Sequence, residues 1–121
     1  MSFSIIIGGI LGLLAVVLGA FGAHALKDKF AEPRYADTWE TAVRYQMYHA
    51  LALILTGFAQ TIYGEAAVLT WAAYLFIAGT IIFSGSLYTL SVTGIRKLGA
   101  VTPIGGLLFI AGWVCFILKF V

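Results

Sequence analysis

Four long apolar runs dominate the chain and are separated by short polar stretches. They cover residues 3–26, 39–62, 66–90 and 102–121. A helix needs roughly 20 apolar residues to cross a hydrocarbon layer about 30 Å thick, so each run is long enough for one span. The strands of a membrane β-barrel would instead alternate apolar and polar residues. The pattern predicts four transmembrane helices, and the short connections predict antiparallel neighbours.

Capping residues indicate where two of these helices begin. Asp37 followed by Glu40 is typical of a helix start. Thr102 followed by Pro103 predicts the start of the fourth helix, since threonine caps helices and proline is favoured in their first turn. An alternative for residues 32–39 is a brief helix that lies in the membrane interface.

Composition indicates a membrane-embedded helical protein rather than a water-soluble one. Of the 121 residues, 62% are hydrophobic and only 10% are charged. A water-soluble domain of this length has too little interior to bury so much apolar surface. We therefore predict an all-α, polytopic integral membrane four-helix bundle, with residues 1–121 forming a single domain embedded in the lipid bilayer.

A removable signal peptide is disfavoured, although the small residues around His24 imitate a cleavage site. No lysine or arginine precedes the first apolar run, and that run is longer than the apolar part of a usual signal. The first run is therefore predicted to remain as a transmembrane helix.

The net charge of +2 is too small to indicate a nucleic-acid partner, and no basic patch interleaved with aromatic residues is present. The distribution of charge is more informative. Basic residues concentrate in or beside the first and third loops, at Lys27, Lys29, Arg34, Arg44, Arg96 and Lys97. Because basic loops stay on the cytoplasmic side, these two loops are predicted to be cytoplasmic and both termini to lie outside.

The first helix carries small residues on one side. Their spacing of three and four places them along one face, at Gly8, Gly12, Ala15, Gly19 and Gly22. Small residues allow helices to approach closely in lipid. The partner of this face is either another helix of the same chain or a second subunit, and a homo-oligomer is predicted.

Polar residues of the second run share a stripe. Tyr45, Gln46, Thr56 and Gln60 all fall within about 60° of His49 on a helix. Polar groups in a span are costly toward lipid, so this stripe is predicted to face the bundle interior or a wet cavity. His49 is interpreted either as a satisfied core imidazole that fixes helix register or as a ligand-binding residue.

The third helix offers a matching stripe of hydroxyl groups. Thr80, Ser84, Tyr88 and Ser91 lie on one of its faces. Two facing polar stripes predict a hydrogen-bonded cluster near one end of the bundle. Candidate ligand-binding residues are therefore His49, Tyr45, Gln46, Ser84 and Tyr88.

His24 is a further candidate ligand-binding residue, although it lies on the opposite side of the first helix from the glycines. A position near the helix end favours a simpler interpretation, in which the imidazole reaches headgroups or water.

Catalytic chemistry is not indicated. Every acidic residue lies in a loop or at the start of a run, so no carboxylate is predicted inside the membrane. No ligand spacing typical of a metal site is present, and Cys115 lies deep in the last run, where an inert thiol is expected. We predict no catalytic residue, no metal and no cofactor.

Four stretches together resemble a known family. They are LGAFGAHAL at residues 18–26, YQMYHALAL at 45–53, FSGSLY at 83–88 and VTPIGG at 101–106. In this order they resemble the small membrane proteins grouped as domain of unknown function 423, also called uncharacterised protein family 0382. The resemblance implies a multi-pass, four-helix protein of the bacterial cell (inner) membrane, and it implies no particular reaction. The motif positions include His24, Tyr45, Gln46, His49, Ser84 and Pro103.

Two functions remain open at this point. The first is a non-enzymatic membrane protein with a polar cluster around His49. The alternative is a binding or transport protein for a small solute, a lipid headgroup or a metal. An intramembrane enzyme is disfavoured because the apolar runs contain neither an acid nor a paired nucleophile and base.

Overall fold

The computed structural model describes residues 2–121, with side chains from residue 3 onward. Four α-helices and one short 3₁₀ helix make up this part of the chain. They are α1 (Ser2–Ala23), α2 (Tyr35–Tyr63), α3 (Ala67–Thr93), the 3₁₀ helix (Arg96–Ala100) and α4 (Thr102–Leu118). Because residues 2–121 contain no strand, the predicted all-α class is confirmed.

Helix α2 begins earlier than the apolar pattern predicted. It starts at Tyr35 rather than near Trp39, and the residue before it, Arg34, makes no side-chain cap. Asp37 lies in the first turn instead of capping it, where its negative charge favours the helix dipole. The alternative of a separate brief helix at 32–39 is wrong, because residues 35–39 are part of α2 itself. The polar first turns continue the helix beyond its apolar part.

The end of α3 needs a special backbone conformation. Gly94 adopts φ +72°, and its N–H donates to the carbonyl of Leu90. Glycine adopts this left-handed conformation without the steric cost that a side chain would add. The turn then leads into the 3₁₀ helix, and α4 begins at Thr102, one residue before the proline.

Helix packing follows the order of the chain. Among residues 2–121, extensive packing joins α1 to α2, α2 to α3, and α3 to α4. Helices α2 and α4 both lie against α3 and meet each other through side chains such as His49 and Phe109. This arrangement leaves a groove between α2 and α4 on one face of the bundle.

Within residues 2–121, three segments are long and apolar enough to cross a membrane. They are Phe3–Ala23, Ala67–Thr93 and Arg96–Leu118. Helix α2 is not among them, since it carries charged residues in its first turns and the polar stripe further on. The structure contains the four predicted helices. That α2 crosses the membrane remains a prediction.

The surface of α2 supports that prediction. Its polar stripe is buried, and the side that it exposes is apolar, with Leu51, Leu55, Phe58 and Ile62 each more than half exposed. A helix in water shows the opposite distribution, with its apolar side buried. Helix α2 therefore has a surface suited to hydrocarbon despite its lower overall apolarity.

One end of the bundle gathers the first and third loops. The N–H of Ala31 donates to the carbonyl of Ser91 at 2.9 Å, which ties the first loop to the end of α3. A Cβ on Gly94 would lie 3.1 Å from Ala31, so the two loops are in contact. The basic residues of both loops therefore lie at the same end, which we call the basic end.

The small-residue face of α1 packs against α2 of the same chain. An added Cβ on Gly8 would lie 2.7 Å from a side-chain atom of Ile54 and 2.9 Å from the Ala50 carbonyl oxygen. At Gly22 an added Cβ would overlap the indole of Trp39. This face is therefore occupied within one chain and is not free for a second subunit.

We expect Gly8→Ala to destabilise the protein by about 1 to 3 kcal/mol, because a methyl group there meets backbone that cannot easily move. Gly9→Ala is the matched control, since a Cβ at Gly9 meets open space. Both variants gain the same helix propensity. Unfolding in mild detergent by graded addition of a denaturing detergent measures the difference, and equal stability of the two variants would contradict the close α1–α2 contact.

Candidate functional site

The polar stripe of α2 is turned into the protein. Gln46, His49, Thr56 and Gln60 are all buried, with at most 5% of each residue exposed. Tyr45 is the exception, since 39% of it remains exposed. Buried polar groups need hydrogen-bond partners, and the partners of His49 and Gln46 define the arrangement of the site.

Both ring nitrogens of His49 are engaged. Nδ1 lies 2.8 Å from the carbonyl oxygen of Tyr45, one turn earlier in α2. The indole N–H of Trp113, on α4, donates to Nε2 at 3.1 Å. A carbonyl only accepts and an indole N–H only donates, so the two bonds assign a neutral imidazole with its proton on Nδ1. Neither nitrogen is free to bind a metal.

Gln46 connects three helices. Its Nε2 donates to the carbonyl oxygen of Leu11, on α1, at 2.8 Å. Its Oε1 accepts from the hydroxyl of Tyr88, on α3, at 2.7 Å. Both ends of the amide are therefore satisfied, which joins α1 to α3 through α2.

Hydroxyl groups of α3 add two more connections. Ser84 donates to the carbonyl of Ala42 in α2 at 2.8 Å. Ser86 lies 2.6 Å from the hydroxyl of Thr102 at the start of α4. Two other buried hydroxyls of α3, those of Thr80 and Ser91, bond to carbonyls of their own helix. The predicted stripe therefore contains both interhelical and local bonds.

Gln60 forms a smaller contact toward the other end of the bundle. The Ser4 hydroxyl donates to its Oε1 at 3.2 Å, which joins α1 to α2. The Nε2 of Gln60 is buried and has no partner among the described residues.

The predicted site residues separate into three locations. Gln46, Ser84 and Tyr88 connect α2 to its neighbours. Tyr45 and His49 lie beside α4, at the groove. His24 lies apart, exposed in the turn after α1, where it lines a shallow cavity of about 360 Å³ with residues from the outer face of α1.

The aromatic residues of α4 were missed as site residues. The ring of Phe109 stacks on His49, with centroids 3.5 Å apart and planes 6° from parallel. Trp113 lies one turn further along α4 and contacts Phe76 of α3 with centroids 5.0 Å apart. A buried tryptophan needs a hydrogen-bond acceptor for its indole N–H, and this need was the signal in the sequence for Trp113. Helix spacing alone does not show which residue is the acceptor.

The groove between α2 and α4 has a volume of about 580 Å³. Aromatic and aliphatic side chains form most of its surface. It is lined by Tyr45, His49, Phe83, Pro103, Gly106, Leu107, Phe109, Ile110 and Trp113. The Tyr45 hydroxyl is not hydrogen bonded to another described residue, and its ring lies 4.7 Å from that of Phe83. The groove thus presents rings and one free hydroxyl.

Metal binding has no support from the arrangement of side chains. No group of three or more histidine, cysteine or acidic residues capable of holding a metal occurs within residues 2–121. Cys115 is partly buried on α4, beside the apolar core. The site is therefore a hydrogen-bonded cluster next to an apolar groove.

Comparison with known proteins identifies the family. Residues 18–106 match the family described as protein of unknown function (DUF423). The chain belongs to the DUF423 family. This confirms the resemblance seen in the four sequence motifs. The matched residues include Gln46, His49, Ser84 and Tyr88 but neither Phe109 nor Trp113.

Relatives of this DUF423 protein are named as membrane proteins. A UPF0382 membrane protein of Staphylococcus haemolyticus is 50% identical over 120 residues, which cover 98% of this chain and 95% of the relative. The UPF0382 membrane protein YwdK of Bacillus subtilis is 48% identical over 117 residues, with 97% and 94% covered. No solved structure matches the chain. This chain is thus a membrane protein of the DUF423 family.

We expect Trp113→Phe to destabilise the bundle by about 0.6 to 1.7 kcal/mol, because His49 loses its donor while the groove keeps an aromatic ring. Trp71→Phe is the matched control. Trp71 is 62% exposed, so its replacement should change stability by less than about 0.5 kcal/mol. Detergent unfolding of both variants provides the measurement, and an unchanged Trp113→Phe protein would count against the bond between α2 and α4.

Proposed function

We propose that this DUF423 protein is a non-enzymatic protein of the cell membrane that binds a lipid-like apolar ligand in the groove between α2 and α4. The observation that carries the proposal is the apolar groove of about 580 Å³ above the His49–Phe109 stack. Grooves of this volume, lined by rings with a few polar groups, are typical of ligand sites.

An apolar ligand fits better than a polar solute. His49 and Gln46 use their polar atoms in bonds to the protein itself. A polar solute would have to break these bonds, whereas an apolar chain would contact ring faces and aliphatic side chains. Among the described side chains that line the groove, only the Tyr45 hydroxyl is left to bond a polar atom of such a ligand.

The hydrogen-bonded cluster then has a structural role. Its bonds join α2 to α1 through Gln46, to α3 through Ser84 and Tyr88, and to α4 through His49. Individual bonds of this kind contribute only about 0.6 kcal/mol on average in a membrane, so several are needed to hold a groove open. His49 thus shapes the floor of the groove.

An enzyme is disfavoured by the same geometry. The acidic side chains lie in the loops or in the first turns of α2, outside the cluster. Catalysis by His49 as a base would need a free nitrogen, and both nitrogens are engaged. The proposal includes the predicted orientation, with the basic end toward the cytoplasm.

A second copy of the chain, as in the predicted homo-oligomer, is the competing occupant of the groove. The glycine face of α1 is already covered by α2, so a second copy would have to use another surface. The groove is one such surface, and the same experiment separates the two occupants.

Native mass spectrometry of the purified protein tests the proposal. The probe is an equal mixture of dioleoyl phosphatidylcholine and dioleoyl phosphatidylglycerol in mild detergent. We expect one phospholipid retained per chain. Gly106→Leu should lose most of this retention, because the new side chain fills the groove, and a Cβ at Gly106 has its nearest neighbour at 4.0 Å.

Gly9→Leu is the control, since it adds the same side chain to an open part of α1. Retention in wild type and Gly9→Leu, with loss in Gly106→Leu, supports the groove. A wild-type chain without lipid, or a dimer that forms in place of the lipid-bound chain, would overturn the proposal.

A further inference from the structure

Two basic side chains without acidic partners lie in the 3₁₀ helix that precedes α4. Arg96 and Lys97 lie in the 3₁₀ helix, which packs on the end of α3 and the start of α4. Both are exposed, and neither forms an ion pair among residues 2–121. Pro103, which lines the groove, follows in the first turn of α4. Unpaired positive charge therefore lies in the segment that leads to the Pro103 end of the groove.

Other cations of the basic end are engaged or lie elsewhere. Arg34 bonds to Glu32 at 3.0 Å, and this hydrogen bond raises the pKa of Arg34. Arg44 is paired with Glu40 at 2.9 Å, and it lines a different cavity, between α1 and α2. Lys27 and Lys29 belong to the first loop, between α1 and α2, whereas Arg96 and Lys97 lie in the 3₁₀ helix that leads into α4, the helix that lines the groove from Pro103 onward. Chain connectivity therefore favours Arg96 and Lys97 as the cations nearest to the Pro103 end of the groove.

The length of the groove matches one leaflet of a bilayer. From Pro103 to Trp113 the α4 helix rises about 15 Å, at 1.5 Å per residue. The hydrocarbon core is about 30 Å thick, so one leaflet contributes about half of that. An acyl chain that starts at the basic end would reach Trp113 near the middle of the membrane.

The start of α4 adds to the positive potential. The dipole of a helix is positive at its N-terminal end. Pro103 has no N–H and the N–H of Ile104 donates to the carbonyl of Val101 at 3.0 Å, so the dipole, and not a set of free N–H groups, is what α4 offers an anionic group. Arg96 and Lys97 open the 3₁₀ helix that leads into this helix start. An anionic group beside the start of α4 would meet two cations and a favourable dipole together.

We infer that the groove binds an anionic phospholipid, with its phosphate-bearing headgroup at Arg96 and Lys97 and one acyl chain along α4 as far as Trp113. This inference rests on the proposed function and names the class of ligand. Charge favours this occupant over a second copy of the chain. Two copies in the same orientation would bring their basic ends together, whereas an anionic lipid neutralises them.

The test measures which phospholipid is retained rather than how much. From the equal mixture of dioleoyl phosphatidylglycerol and dioleoyl phosphatidylcholine, the wild-type protein should retain the anionic lipid with about tenfold preference. The double variant Arg96→Gln, Lys97→Gln should still retain one lipid but lose the preference. The matched double variant Lys27→Gln, Lys29→Gln removes the same amount of charge from the first loop and should keep the preference for the anionic lipid.

Each outcome decides the inference. A preference that survives in Arg96→Gln, Lys97→Gln would overturn it, as would an equal loss in both double variants, which would indicate a diffuse charge effect. A wild-type protein that retains lipid without preference overturns the anionic class while leaving the apolar groove intact. Absence of any retained lipid overturns the proposed function itself, so the two failures are distinguishable.

Discussion

Hydrocarbon offers no hydrogen-bond partner, and the arrangement of α2 fits that constraint. This helix carries histidine, glutamine and threonine side chains that are costly beside lipid tails. In the structure these groups are buried, and leucine, phenylalanine and isoleucine side chains are exposed on the outer side of α2. Helix α2 is therefore the central element, and each of the other three helices supplies it with hydrogen bonds. Among residues 2–121, the bond between His49 and Trp113 is the hydrogen bond that joins α4 to α2.

Tight packing and polar bonding occupy different faces of this structure. Glycines bring α1 onto α2, and Gly105 brings α4 onto α3, where an added Cβ would lie 2.5 Å from the backbone nitrogen of Phe83. Because α1 and α4 pack on different helices, α4 stands beside α2 without covering it. The groove is the space left by this arrangement. Its position above the His49–Phe109 stack places an apolar site next to a satisfied polar cluster.

Most cations of the molecule lie at one end of the bundle. Alternating helices bring the first and third loops to one end, and their contact at Ala31 and Gly94 gathers most of the cations there. Acidic residues neutralise Arg34 and Arg44 but not Arg96 and Lys97. An anionic lipid surface would complement this end. The groove begins at the same end, so a single lipid molecule would satisfy both its charge and its apolar surface.

The sequence by itself determined the membrane environment, the four helices, the family and the inward direction of His49, because apolar runs, helical spacing and local motifs are properties of neighbouring residues. It located the polar stripes but misjudged the start of α2, since polar first turns extend a helix without an apolar signal. Only the tertiary structure decided that the glycine face of α1 meets α2, that Trp113 donates to His49, and that a groove opens between α2 and α4. These features depend on how whole helices are rotated and placed, and helical periodicity within one segment does not specify its partner.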